Sequence, residues 1–135
     1  MYLIQERKAF LLVGAAMALV LAAGCATMAP IYSVSGQPIA TNKPASMDEI
    51  GKAIVVAGTS IRMQMKQVSP GVILATYIST KQRMAIMEIK YDTKQYSITY
   101  KDSQNLNYDG QQILGGYNGW VQNLDKAILA QLKAL

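Results

Sequence analysis

Apolar positions follow several regimes along the chain. Residues Ala9 to Ala23 are an unbroken apolar and small-residue run, and after residue 46 the apolar residues recur first at helical and then at alternating spacing. Ser46 with Glu49 three places later is the S-x-x-E pattern of a capping box, in which each side chain satisfies an orphan backbone N–H of the other. Ile50, Ala53, Ile54 and Ala57 then repeat with helical period, and Gly58 offers a left-handed exit, so the spacing predicts a helix over 47–57. Ile61, Met63 and Met65 alternate with Arg62, Gln64 and Lys66, which predicts a strand with one buried face. Ser69-Pro70-Gly71 is a turn sequence. Val72 to Ile78 is apolar on both sides, which predicts a strand that is central or covered twice. Alternation resumes over Met84 to Tyr91 and, after the Asp92–Gln95 turn, over Tyr96, Ile98 and Tyr100. Helical spacing returns with Tyr117, Val121, Leu124, Ile128 and Leu132, with Trp120 beside the stripe. The expected fold is α+β: a four-stranded antiparallel meander with an N-terminal and a C-terminal helix packed on one face, occupying residues 47–135.

The start of the chain carries an address. A charged beginning (Glu6, Arg7, Lys8) precedes the apolar run, which is short for a membrane span of roughly 20 residues and fits a secretory signal. The run ends Leu21-Ala22-Ala23-Gly24-Cys25, which resembles the lipobox of bacterial lipoproteins, with Ala22 where Leu is commoner. Residues 1–24 are therefore expected to be a lipoprotein signal peptide, with Cys25 the lipidation site. The only thiol of an exported chain has no internal disulfide partner, and it stands where a lipobox requires it. Two or three acyl chains on Cys25 would amount to permanent attachment. Ala26 is not the Asp that holds enteric lipoproteins at the inner membrane, so the resemblance implies the periplasmic face of the outer membrane of a Gram-negative bacterium.

Residues 25–46 hold three prolines with Gly, Ser, Thr and Asn, a tether composition that spans about 25 Å as a flexible coil and about 70 Å when stretched. Ile31-Tyr32-Ser33-Val34 alternates weakly, which leaves an edge strand within 31–39 as the alternative.

The absence of His removes Ser-His-Asp triads, Cys-His dyads and histidine metal sites from consideration. Removing the signal takes away Glu6, Arg7 and Lys8 and leaves 11 basic and 7 acidic residues, a modest positive balance. Such a balance favours anionic lipid or another envelope protein over nucleic acid, which the compartment and the scatter of charge both disfavour.

The segments Tyr100-Lys101-Asp102-Ser103-Gln104-Asn105-Leu106-Asn107-Tyr108 and Tyr117-Asn118-Gly119-Trp120-Val121-Gln122-Asn123-Leu124 resemble the end of a family of small, poorly characterised proteobacterial outer-membrane lipoproteins. That resemblance covers roughly residues 47–130. It implies a lipid-anchored envelope protein and no particular activity.

Four side-chain groups carry candidate chemistry. Met63, Met65, Met84 and Met87 are soft ligands suited to Cu(I), yet Met is also an ordinary core filler, and no His or second Cys assists. No metal or cofactor is expected. The polar stretch Asp102 to Gln112 suits a turn-rich loop, and its Ser103 and Lys101 form a weak nucleophile pair without a rigid elbow. Tyr96, Tyr100 and Tyr117 suit the core, whereas Tyr108 and Trp120 are expected to be partly exposed and adhesive. Arg62, Lys66, Lys90 and Lys101 are expected to make a basic wet sheet face, with Arg62 and Lys90 as partner contacts. These features point to a non-catalytic, lipid-anchored periplasmic binding or structural module. The alternative is a carrier of a small apolar ligand between sheet and helices.

Overall fold

The computed structural model describes residues 27–135. The expected signal peptide (1–24) and the lipidation site Cys25 lie outside the described residues. In chain order the elements are β1 (Met28–Pro30), β2 (Val34–Pro38), α1 (Met47–Ser60), β3 (Gln64–Ser69), β4 (Val72–Ile78), β5 (Met84–Tyr91), β6 (Gln95–Gln104), β7 (Gln112–Leu114) and α2 (Gly116–Lys133).

Helix α1 begins as its cap predicts, with the Ser46 Oγ accepting the Glu49 N–H at 3.2 Å. It runs past Gly58, whose role differs from the expected exit. The Met65 thioether packs so close to Gly58 that a Cβ there would collide with it. The left-handed residue is instead Arg62, at φ 66°, in the turn after the helix. Strand β3 consequently starts at Gln64, and Arg62 is a turn residue, not a member of the sheet face.

Strands β3 to β6 form the expected antiparallel succession. The β3–β4 turn needs its glycine: Gly71 has φ 79°, and a Cβ would come within 2.8 Å of the Tyr91 carbonyl oxygen. The meander is nevertheless one strand short of the sheet. Strand β2 pairs antiparallel with β6, giving five strands in the order β2-β6-β5-β4-β3, and β1 pairs with β7 in a separate two-stranded ribbon. The expected tether 25–46 thus contributes both extra pairings within its described part. Beyond β2 it stays on the domain, where the Ile39 N–H donates to the Lys94 carbonyl at 2.8 Å. A bulge explains why β2 was hard to read: the register slips between Val34 and Gln37, where Gly36 sits at φ 58°, so the period of two is lost.

Both helices cover one sheet face. Ile50, Ile54 and Ala57 of α1 and Val121, Leu124 and Ile128 of α2 are sealed against Ile73, Ala75, Met87, Ile89 and Ile98. The other face has no covering layer among the described residues. Leu74, Thr76 and Ile86 are half-buried there by their neighbours, and Ile78 is 59% exposed. Strand β4 is therefore apolar on both sides yet covered on one, and it lies second from an edge.

Candidate functional site

The buried stripe of α2 passes through Tyr117, Val121, Leu124 and Ile128. Trp120 precedes Val121 by one position, about 100° around the helix, so it falls at the margin of that stripe. There it meets Tyr77, an inward residue near the end of β4. Their rings pack edge to face with centroids 4.7 Å apart and planes inclined by 61°. Such a pair adds about 0.5–1.5 kcal/mol beyond the area it buries.

Trp120 and Tyr77 line a groove of about 410 Å³ completed by Ile61, Met63, Asn123, Lys126 and Ala127. Its apolar side comes from three elements: the turn after α1, the end of β4 and the middle of α2. Asn123 and Lys126 are solvent-exposed and supply a polar rim with a cation. Arg62 lies between two lining residues in the chain, in the exposed turn. The geometry suits an apolar or aromatic group entering from solvent, with polar atoms near Lys126 and Asn123.

The other expected contact residues are elsewhere. Lys90 lies on the outer sheet face, where its ammonium is 3.4 Å from Glu88, and Lys101 is 3.7 Å from the other oxygen of the same carboxylate. The expected basic face is thus partly neutralised at its centre and has lost Arg62 to the turn. Tyr108 is 37% exposed in the loop between β6 and β7, stacked on Tyr100 with ring centroids 4.0 Å apart. That loop spans 105–111, shorter than the expected Asp102–Gln112, because β6 continues to Gln104 and β7 begins at Gln112. The Asp109 carboxylate accepts the Gln112 and Gln111 N–H groups at 2.7 and 2.9 Å, and these bonds hold its pKa below the ordinary carboxylate range. Lys101 and Ser103 do not meet: the Ser103 hydroxyl lies 2.7 Å from the Tyr100 hydroxyl, whereas Lys101 faces Glu88.

Two core tyrosines contrast in their hydroxyls. Tyr96 donates to the Asp125 carboxylate at 2.5 Å, and burial followed by that carboxylate raises its pKa well above the ordinary phenol range. Tyr117 is fully buried with no hydrogen-bond partner for its hydroxyl among the described residues, and burial raises its pKa too. Among the described residues, no helix is long and apolar enough to cross a membrane.

Trp120 was legible in the sequence as a residue beside a stripe. Its partners Tyr77, Ile61 and Met63 were not. Tyr77 could have been suspected as the last inward position of a strand apolar on both sides, where helix cover runs out. No protein-family model, curated protein or solved structure matches the chain.

Proposed function

We propose that this chain is a lipid-anchored, non-catalytic binding module on the periplasmic face of the outer membrane. On this reading Cys25 is the acylated N-terminus, and the chain is a small proteobacterial lipoprotein of the kind its sequence resembles. The observation that carries the binding role is the groove over Tyr77 and Trp120. Tryptophan in a partly desolvated recess is the side chain most often found at the energetic centre of protein contacts. Buried side chains from both layers meet between sheet and helices, and the groove opens to solvent at its edge. A free small ligand is normally buried over most of its surface, so an open recess better fits an apolar side chain projecting from another envelope protein.

A photo-reactive residue at Lys126 should crosslink in intact cells to a discrete partner, and Trp120→Ala should reduce that product while the fold is retained. Equal crosslinking from Lys126 and from Lys90 on the outer sheet face would remove the groove as the contact site.

The carrier remains a second reading because the groove volume lies within the range of small-ligand sites, roughly 300–1,000 Å³. An apolar fluorophore that binds the purified chain with saturation, and binds the Trp120→Ala chain much more weakly, would favour it. Loss of crosslinking in the presence of such a probe would unite the two readings at one site.

A further inference from the structure

We propose that one end of the domain, built from β1, β7, the 105–111 loop and the tip of the β4–β5 hairpin, rests directly on the phospholipid surface that holds the anchor. The proposal rests on acylation of Cys25. It differs from that reading in fixing which way the domain faces.

The first argument is the length of chain between anchor and fold. The Thr27 carbonyl accepts the Gly115 N–H at 3.0 Å, and Met28 pairs with Leu114. Two peptide links separate Cys25 from Thr27 and span at most about 8 Å. An acylated cysteine lies at the headgroup level, and a headgroup layer is itself about 6 Å deep. The β1–β7 ribbon therefore cannot stand far from the bilayer.

The second argument is continuity across that end. Leu114 is bound on one side by β1 and on the other by its N–H to the Leu106 carbonyl at 3.0 Å. Next to Leu106, the Asn105 side chain donates to the Gln82 carbonyl at 2.9 Å, which ties in the β4–β5 tip. Two strand spacings of about 4.8 Å carry this strip roughly 10 Å from Met28 to Leu106, and the Asn105 side chain extends it to Gln82. A platform of that width resists tilting better than a single point of attachment.

The third argument is chemistry. Met28 and Tyr108 are 38% and 37% exposed, and Ile78 at the base of the same hairpin is more exposed still. Tyr108 is held by its stack on Tyr100 and by its hydroxyl donating to the Gly110 carbonyl at 3.3 Å. A fixed, amphipathic ring of this kind suits the boundary between headgroups and acyl chains. Lys81 and Arg83 on the hairpin tip add two cations. Of the carboxylates at this end, Asp109 is engaged by the N–H groups of its own turn and Asp102 by the Ser103 N–H at 2.8 Å. The opposite end, at the β5–β6 turn with Lys94, is about 24 Å away along β5.

Cys25 is the only cysteine, so once it is acylated an introduced cysteine carries the only free thiol. The full chain with Tyr108→Cys, Lys81→Cys or Lys94→Cys would be purified in acylated form and placed in vesicles of phosphatidylethanolamine with a minority of phosphatidylglycerol. Reaction with a bulky, membrane-impermeant maleimide is then compared with the same positions in soluble chains that begin at Ala26, in which the introduced thiol is again the only one. Vesicle attachment should slow positions 108 and 81 several-fold and leave 94 unchanged. Lys81→Cys keeps the test intact if Tyr108→Cys loosens the stack on Tyr100. The same vesicle-to-soluble ratio at all three positions, in protein whose intact mass carries the acyl groups, would overturn the orientation and leave the anchor standing. Slowing of 108 and 81 in the soluble chain would point to contact between copies of the chain and also overturn it. An intact mass without acyl groups at Cys25 would remove the anchor, and the orientation with it.

Discussion

On the inner face of the five-stranded sheet, Ile73, Ala75, Ala85, Met87, Ile89 and Ile98 are sealed beneath two helices. On the outer face of the same strands, Leu74, Ile86 and Ile78 range from half-buried to exposed among Lys66, Glu88, Lys90 and Lys101. Both faces carry branched apolar side chains, so composition alone does not separate them. What separates them is the helical stripe of complementary spacing above one face and its absence, among the described residues, above the other. Apolar side chains contribute most where a second layer removes the remaining water from them. The inner face should therefore respond steeply to substitution and the outer face weakly.

The largest effect is expected at the centre of the covered face. Leu124→Ala deletes a fully buried side chain where the surrounding core is already filled, and should cost about 2–5 kcal/mol. Chemical denaturation checks this, and an unshifted midpoint would show that α2 does not seal the sheet.

The two core tyrosines sharpen the comparison within that face. Tyr96→Phe removes a hydrogen bond to the Asp125 carboxylate and should cost about 1–3 kcal/mol, whereas Tyr117→Phe removes an unpartnered buried hydroxyl and should be neutral or stabilising. A large loss from Tyr117→Phe in the same denaturation series would reveal a partner for that hydroxyl.

The same pair sets an alkaline limit. Both phenols titrate above their ordinary range in the folded chain, so their contribution is fully present below about pH 10. Above it the unfolded chain ionises while the folded chain holds its protons, so stability falls as pH rises. Melting temperatures measured across that range should drop, and less so in the Tyr96→Phe, Tyr117→Phe double variant.

The smallest effect is expected on the open face. Lys66→Glu should change stability by less than about 0.5 kcal/mol, because exposed charges are well screened. A loss comparable to that of Leu124→Ala would mean that another layer covers this face in solution.

The contrast between the faces also explains how much of the fold could be read from the chain. The two long helices and the four long strands announce themselves through period, and the Ser46 cap and the 117–132 stripe stand where the spacing puts them. The missing strands are three residues long, or bulged at Gly36 with Pro38 at the end, and neither length nor alternation marks them. Their pairing comes from tertiary partners far along the chain: Pro30 lies opposite Gln112, and Val34 opposite Ile98. The groove was half legible for the same reason. Trp120 follows from local helical geometry, whereas its meeting with Tyr77 depends on where α2 crosses the sheet.

The hold on the N-terminal segment has a mechanical consequence. A load drawn along the chain from Thr27 meets the Thr27–Gly115 bond first, then the β1–β7 pairs, then Asn118, whose side chain grips both the Pro30 carbonyl and the Tyr32 N–H at 2.9 Å. These bonds are loaded in succession and not together, so the ribbon peels before β2 and the buried core feel the force. Peeling as far as Ser33 frees roughly 20 Å of chain at about 3.4 Å per residue. In a single-molecule pull from the N-terminus this should register as a small, low-force extension ahead of the unfolding of the sheet. Asn118→Ala should bring that extension to still lower force.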